Sequence, residues 1–434
     1  MVVSGEPIAS DDTRDFANDR YLRRLRLSVF LVSLPFGMLL FGVPLIAREM
    51  GAGPLAIGGL FSTYAAIVVI SQPFIGRGLD RLGRRLFLIF GLLAYALSNV
   101  VFGLATGVVG LYLAQVAQGV GAGLTWLAAL SIVSDLASVD CRGREYGRVE
   151  EMAFRGTLLG SLVGFALLAL LEGDGIGGWL TLAGGWRLLF LAYAAATLVA
   201  AAIVWRKIPE TLSQLENRDD KVSEAPKDRR TSGGAARRLP GQLWILMGIV
   251  GLTAAATALL GPILMPYLFD NVSTSMLALG LAFLPAAIAG SVLPSRLGGI
   301  SDRIGRRPPI VAALAMAGLA AAAVPFVRSL WPLAVLWVLE AAAFAAATPA
   351  EEALVIDLAD NARQGSALGY YTAAAALGGV IGPLLGGWIY GRYGAGGAFL
   401  TTALLLVLGA ILILLLVREP SRAKLVPPRT RQDL

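Results

Sequence analysis

Stretches of about 20 apolar residues recur along this chain, the length an α-helix needs to cross a hydrocarbon core of roughly 30 Å at 1.5 Å per residue. Their pattern predicts helices over 27–46, 55–75, 86–105, 108–130, 149–171, 188–205, 243–268, 276–297, 310–328, 331–350, 366–390 and 397–417. A soluble core cannot bury so many. Charged residues make up 15% of the 434 positions, well under the roughly 25% of ordinary soluble domains. The expected fold is an all-α membrane protein with twelve transmembrane helices in two six-helix bundles, since lipid-embedded backbone must satisfy its own polar groups.

The chain opens MVVSGEPIASDDTRDFANDRYLRRLRLS, which lacks the short apolar core and small-residue cleavage site of a secretory signal, so the first helix is expected to stay in the membrane. Cys141 is the single cysteine and histidine is absent. Intrachain disulfides, Cys/His metal sites and a histidine proton relay are thereby excluded, and any proton chemistry must use carboxylates. No metal or cofactor is expected. The chain offers no Gly-rich phosphate loop ending in Gly-Lys-Ser/Thr and no nucleophile–base arrangement, so an enzyme is not expected either.

Charge sets the orientation. Of 36 Lys and Arg, 31 fall in the N-terminal tail (1–26), the loops after helices 2, 4, 8 and 10, the linker 206–242 and the C-terminal tail (418–434). Arg48, Arg187, Arg328 and Arg392 fall on the other side, and Arg155 lies within a helix. Positive loops stay in the cytoplasm on insertion, which places both termini there, in a bacterial cytoplasmic membrane. Spread over short loops, these charges do not form the patch a nucleic acid needs.

The chain also repeats itself. At an offset of 222, Pro44 aligns with Pro266, Gly58 with Gly280 and Phe61 with Phe283; Asp135 meets Asp357, Gly147 meets Gly369, and Gly160 and Gly164 meet Gly382 and Gly386. Aspartates and loop glycines do not align through apolar bias, so duplication is the better explanation. It predicts a bundle over 27–205 and a second over 243–417. The charged, Pro/Gly/Ser-containing linker between them cannot bury enough apolar area to fold alone.

Two loops carry the same decapeptide pattern: GRGLDRLGRR (76–85) and GGISDRIGRR (298–307). Both resemble the G-x-x-x-D-R-x-G-R-R signature of the major facilitator superfamily, and the resemblance covers nearly the whole chain. It implies a substrate path between the two halves, and gating by Gly76, Asp80, Arg81, Gly83, Arg84 and Arg85 with their counterparts Gly298, Asp302, Arg303, Gly305, Arg306 and Arg307. Asp80 would sit against a helix end in the opposite bundle and stabilise the outward-facing state, with Asp135, Arg142 and Arg144 as helpers and Asp357 as repeat partner of Asp135. Plain positive-inside anchoring is the alternative, but arginine alone would provide that.

Ionisable groups at membrane depth are costly and usually face a cavity or a partner. Glu340 lies mid-helix, with Trp337 and Phe344 at i−3 and i+4, and aligns with Gln118. By the resemblance, these two helices line the central cavity, so Glu340 is a candidate for binding a cation or carrying a proton; a neutral packing glutamate is the alternative. Glu151 and Arg155, four apart, form either an internal ion pair or a coupling pair. Gln115 stands where many proton-coupled members have arginine. Glu351 and Glu352 are expected to reach water at a helix end. Phe36, Tyr64, Trp126, Tyr267, Phe283 and Tyr370 could coat a cavity, although packing is their commoner role.

The motif GTLLGSLVG (156–164) and its fuller counterpart GGVIGPLLGG (378–387) read first as close-packing rows. The expected function is alternating-access, proton-linked export of small hydrophobic or amphipathic compounds by a monomer. Uptake of a sugar, organic acid or other metabolite is the alternative, and a non-transporting sensor a third reading. Asp80→Asn is expected to lower transport and shift the inside/outside accessibility of the purified protein in labelling assays; unchanged values in both would end the latch reading.

Overall fold

A computed structural model describes residues 11–137, 142–172, 182–211, 241–359 and 364–418. All regular structure among them is helical: α1 Asp11–Ser33, α2 Phe36–Glu49, α3 Pro54–Leu82, α4 Arg84–Leu104, α5 Val108–Leu136, α6 Arg142–Glu172, α7 Leu182–Lys207, α8 Gly241–Leu259, α9 Gly261–Asn271, α10 Met276–Ile304, α11 Arg307–Ala323, α12 Leu330–Leu358 and α13 Gln364–Leu416. Among the described residues, nine helical spans are long and apolar enough to cross a membrane. The central linker 212–240, residues 1–10 and residues 419–434 lie outside the described residues, while 11–26 of the expected N-terminal tail are helical as the start of α1.

Two expected helices are each broken once. The segment 27–46 divides at Leu34 and Pro35 between α1 and α2, and 243–268 divides at Leu260 between α8 and α9, one residue before Gly261-Pro262. Proline lacks the donor that would continue the ladder and suits the start of a new helix. Conversely, 366–390 and 397–417 run together as α13, interrupted only at Gly394 (φ 71°, ψ −172°). A straight run of this length would be about 80 Å, far beyond one crossing, so the Gly394 break is where the chain reverses.

The outward faces are apolar. Phe90, Leu93 and Leu97 of α4 and Leu400, Leu404, Leu408, Ile411 and Leu415 of α13 are exposed in rows three to four residues apart. Such rows are lipid-facing stripes, too extensive for a water-soluble surface.

The chain divides into two compact units, one comprising Met1–Gly51 and Thr63–Ser232, the other Ala52–Ser62 and Gly233–Leu434. The core of the first gathers Leu25, Leu88, Leu92, Ile132, Val133 and Val204 from α1, α4, α5 and α7. A second aromatic layer stacks Trp186, Phe190 and Phe102, and the Trp186 indole donates to Phe102 O at 3.1 Å. In the other unit, Leu246, Val250, Leu314, Leu354, Leu406 and Ile413 make the equivalent core.

Glycine rows set the closest helix contacts. A Cβ at Gly156, Gly160 or Gly164 of α6 would overlap Phe30 O, Leu34 O or the Met38 side chain. A Cβ at Gly378, Gly382 or Gly386 of α13 would likewise overlap Gly251 O, Ala255 O or Leu259 O. The rows are related by the offset of 222, so the two units repeat the same contact, and packing accounts for both sequence motifs. Within the second unit, Gly58 also abuts Pro383 O and Ser62 donates its hydroxyl to Val380 O at 2.6 Å.

Gly382→Val is expected to destabilise the purified protein in detergent by about 1–3 kcal/mol through overpacking. Gly379→Ala, where a Cβ meets nothing within 4 Å, should be neutral or stabilising by about 0.5–1 kcal/mol. Equal melting of the two variants would contradict the close-contact assignment.

Candidate functional site

The first motif loop is built on a tight turn. Only Gly83 separates α3 from α4, at φ 99° and ψ 150°, a conformation that L side chains disfavour. Its backbone lies against the Glu210 carboxylate, which a Cβ would overlap. Glu210 accepts hydrogen bonds from the Arg84 amide at 2.8 Å and the Arg85 amide at 3.2 Å. First-turn amides have no acceptor within their own helix, and a negative charge there also meets the positive end of the helix dipole. A carboxylate arriving just after α7 therefore caps α4.

Beside this cap, Arg84 Nε lies 3.1 Å from Asp135 Oδ2, and the Thr211 hydroxyl donates to the same oxygen at 2.6 Å. The Arg84 and Asp135 side chains are only 11% and 9% exposed. Arg85 donates to Trp205 O. The loop is thereby fastened to the end of α5 by an ion pair and to the end of α7 by a charge-assisted hydrogen bond.

The second copy uses the same scheme. Gly305 has φ 102°, Arg306 Nε lies 3.3 Å from Asp357 Oδ2, and Arg307 donates to Ile413 O at 3.3 Å and to Leu414 O. Arg84–Asp135 and Arg306–Asp357 are equivalent under the repeat. Pro308 and Pro309 open α11, and because proline carries no N–H, fewer amides there need a cap.

The side chains of Asp80, Arg81, Arg142, Asp302 and Arg303, and the surroundings of Gly298, lie outside the described residues. Gly76 has open space where a Cβ would be, and Arg144 is exposed. Sequence reasoning missed Glu210 and Thr211, which it assigned to an unfolded linker. Their signal, Pro-Glu-Thr after a helix, is local, whereas the amides Glu210 serves are more than 120 residues away and the Asp135 carboxylate bound by Thr211 is 76 away.

Deeper in the first unit, Gln115 and Gln118 are both 3% exposed within α5. Among the described residues, Gln118 Oε1 has no hydrogen-bond partner. Arg155 pairs with Glu151 across one turn of α6, both side chains more than half exposed. In the second unit, Glu340 and Phe344 are exposed on α12. Trp337 is turned inward instead, 4% exposed, its ring edge-on to Phe283 at 5.5 Å and 82°. The aromatic edge contact holds Trp337 off the face it shares with Glu340 by sequence spacing.

The remaining aromatic candidates also pack. Phe36 meets Tyr64 at 6.4 Å, Tyr370 meets Trp244 at 5.1 Å, and Tyr267 meets Phe399 at 5.1 Å while donating to Pro325 O. Trp126 is 41% exposed.

Glu351 departs from expectation. It is largely buried, 9% exposed, and the Tyr371 hydroxyl donates to its Oε2 at 3.2 Å. Glu352, the next residue, takes the outward position. The carboxyl lines a cavity of about 210 Å³ walled by α8, α11, α12 and α13.

Glu210→Ala is expected to lower stability by about 1–2 kcal/mol, the cost of losing a helix cap and leaving its amides unpaired, with Glu210→Gln recovering part of the loss. Thermal unfolding of the purified variants reads this, and wild-type melting of Glu210→Ala would overturn the cap.

The Major Facilitator Superfamily model matches residues 25–294 and 246–433. The multidrug resistance protein MdtG of Dickeya zeae is 29% identical over 427 residues, covering 96% of this chain and 99% of that protein. Multidrug resistance protein 2 of Bacillus subtilis is 28% identical over 186 residues, 43% of each chain. Among solved structures, a bacterial homolog of the human lysosomal transporter Spinster superposes with a TM-score of 0.72 at 18% identity, covering 95% of this chain and 98% of that one. A D-xylose–proton symporter gives 0.67 at 20% identity, covering 92% and 98%; at such identities the likeness shows the fold. The chain belongs to the Major Facilitator Superfamily and is a membrane-embedded secondary transporter of small molecules.

Proposed function

We propose that this transporter exports small hydrophobic or amphipathic compounds in exchange for protons, by alternating access. The observation that carries this reading is the likeness to the multidrug resistance protein MdtG over nearly the full length of both chains. The sparse fixed charge of the membrane helices is consistent with it, because apolar walls bind by burial and tolerate varied shapes. The protein is not an enzyme: it moves its substrate without altering a covalent bond. It works as a monomer in a bacterial cytoplasmic membrane with both termini in the cytoplasm, a reading the distribution of positive loops supports.

Under this reading, Asp80 and Asp302 belong to the loops that gate the cycle, braced by Arg84–Asp135 and Arg306–Asp357. Exposed Glu340 recognises the positive group of cationic substrates, with Gln115 and Gln118 as polar candidates on α5. The Glu151–Arg155 pair holds its charges in mutual compensation in one state and can open in another. Solute and coupling ion drive the cycle by binding the two states unequally.

Reconstituted vesicles with an acidic lumen test this reading against a panel of cationic dyes, neutral drugs and sugars. Dye accumulation abolished by a protonophore is expected; gradient-independent dye movement, or uptake of a sugar alone, would overturn it. Glu340→Gln should cut transport of cationic dyes by about tenfold while sparing neutral compounds, and equal loss for both classes would remove its recognition role.

A further inference from the structure

The cavity beside Glu351 lies within the second unit and is partly open. Its wall is mostly apolar, with Val250, Ala313, Leu314, Ala343 and Leu406 among its lining residues. Thr253, Thr257, Thr348 and Tyr371 contribute hydroxyls, and among the described residues no lysine or arginine lines it. The charged and titratable groups near Glu351 are Tyr371 of α13, which donates to it, and Glu352 on its own helix; α8 and α11 present only uncharged side chains to the cavity. Among the described residues, no cation forms an ion pair with Glu351.

An ionised carboxyl in such a setting is costly unless a counter-ion or water reaches it. A proton satisfies it most simply. The cavity is too small for most drug-sized ligands, which need roughly 300–1,000 Å³, yet it has room for the water that would deliver and remove a proton.

The repeat argues that the carboxyl is not there for packing. The positions equivalent to Glu351 and Tyr371 are Ala129 and Val149, both 0% exposed and both in the apolar core cluster of the first unit. That unit closes the same place with aliphatic contacts. The second unit instead carries a carboxyl, a phenol and a cavity. Pro349, two residues before Glu351 in α12, withdraws one backbone donor from the helix ladder, a recognised source of local bending.

We propose that Glu351 is the proton-carrying group of the transport cycle, with Tyr371 as its positioning residue. This inference rests on the proton-linked reading above and assigns the proton to a place apart from Glu340 on the exposed face of α12. In the step, one O–H bond of a hydronium ion in the cavity breaks, leaving water, as an O–H bond forms to the carboxylate oxygen not held by Tyr371. On release the carboxyl O–H bond breaks and the proton passes back to a water molecule, which becomes hydronium. Neutral Glu351 favours the closed cavity, while ionised Glu351 favours a wetted one with α12 displaced near Pro349.

The test uses Glu351→Gln, close in shape to the neutral form, in vesicles loaded with a fluorescent cationic dye. Uphill, pH-gradient-driven accumulation should fall by at least about tenfold, while dye counterflow, which needs no net proton movement, should stay within about twofold of wild type. Glu351→Asp should restore part of the gradient-driven flux, and Tyr371→Phe should shift its pH profile without abolishing it. Gradient-driven transport retained in Glu351→Gln would overturn the assignment, and so would loss of accumulation and counterflow together in Glu351→Gln and Glu351→Asp. Dependence of wild type on a sodium gradient in place of the pH gradient would refute both the proton and the proton-linked reading. Wild type without any gradient dependence would refute the proton-linked reading itself.

Discussion

Close backbone approach between helices is the contact on which the rest of this molecule depends. In lipid, helices gain little from hydrophobic burial against one another, so association relies on dispersion contacts that small residues permit. Gly156, Gly160 and Gly164 bring α6 onto α1 and α2, and Gly378, Gly382 and Gly386 bring α13 onto α8. The two rows sit at one offset, and the partner backbone is met at Leu34 and Leu259, beside the breaks that Pro35 and Pro262 help to make. Helix breaks and close contacts therefore belong to one device, used once in each unit.

The charged loops add a second repeated device at the ends of those helices. Gly83 and Gly305 supply turns that other residues resist, and the arginines that follow reach an aspartate on one helix and carbonyl oxygens on another. Screening by solvent weakens exposed ion pairs, but Arg84 and Asp135 are largely shielded, and Thr211 shares the load on the aspartate. The second copy is somewhat more open and begins its helix with two prolines instead of an added carboxylate cap. Repetition has preserved the geometry more closely than the chemistry around it.

Much of this was legible in the sequence because it is carried by residues whose physics is local. Apolar length marked most of the helices, and paired glycines marked the packing rows. Breaks inside 27–46 and 243–268 were less visible, since Pro35 and Pro262 can either bend a helix or end it. The role of Glu210 was hidden by distance: a cap is normally sought a few residues away, and this one crosses from the end of α7 to the start of α4. Glu351 was misjudged because a carboxyl near a helix end reads as solvated, whereas the phenol that shelters it comes from a different helix. Trp337 was placed beside Glu340 by spacing alone, and the Phe283 ring decided otherwise.

The polar interior, unlike the frame, is asymmetric. Aliphatic Ala129 and Val149 stand where Glu351 and Tyr371 occupy the other unit, and Glu340 stands opposite Gln118 in the alignment. A frame that can change state needs a group whose affinity for a small ion differs between states, and substrate and proton must then influence one another reciprocally. Proton release on substrate binding measures that linkage directly, in detergent solution without vesicles. With purified protein in weak buffer and a pH-sensitive dye, saturating cationic substrate is expected to release up to about one proton per chain; binding established by an independent signal with no proton released at any pH would contradict proton-linked transport.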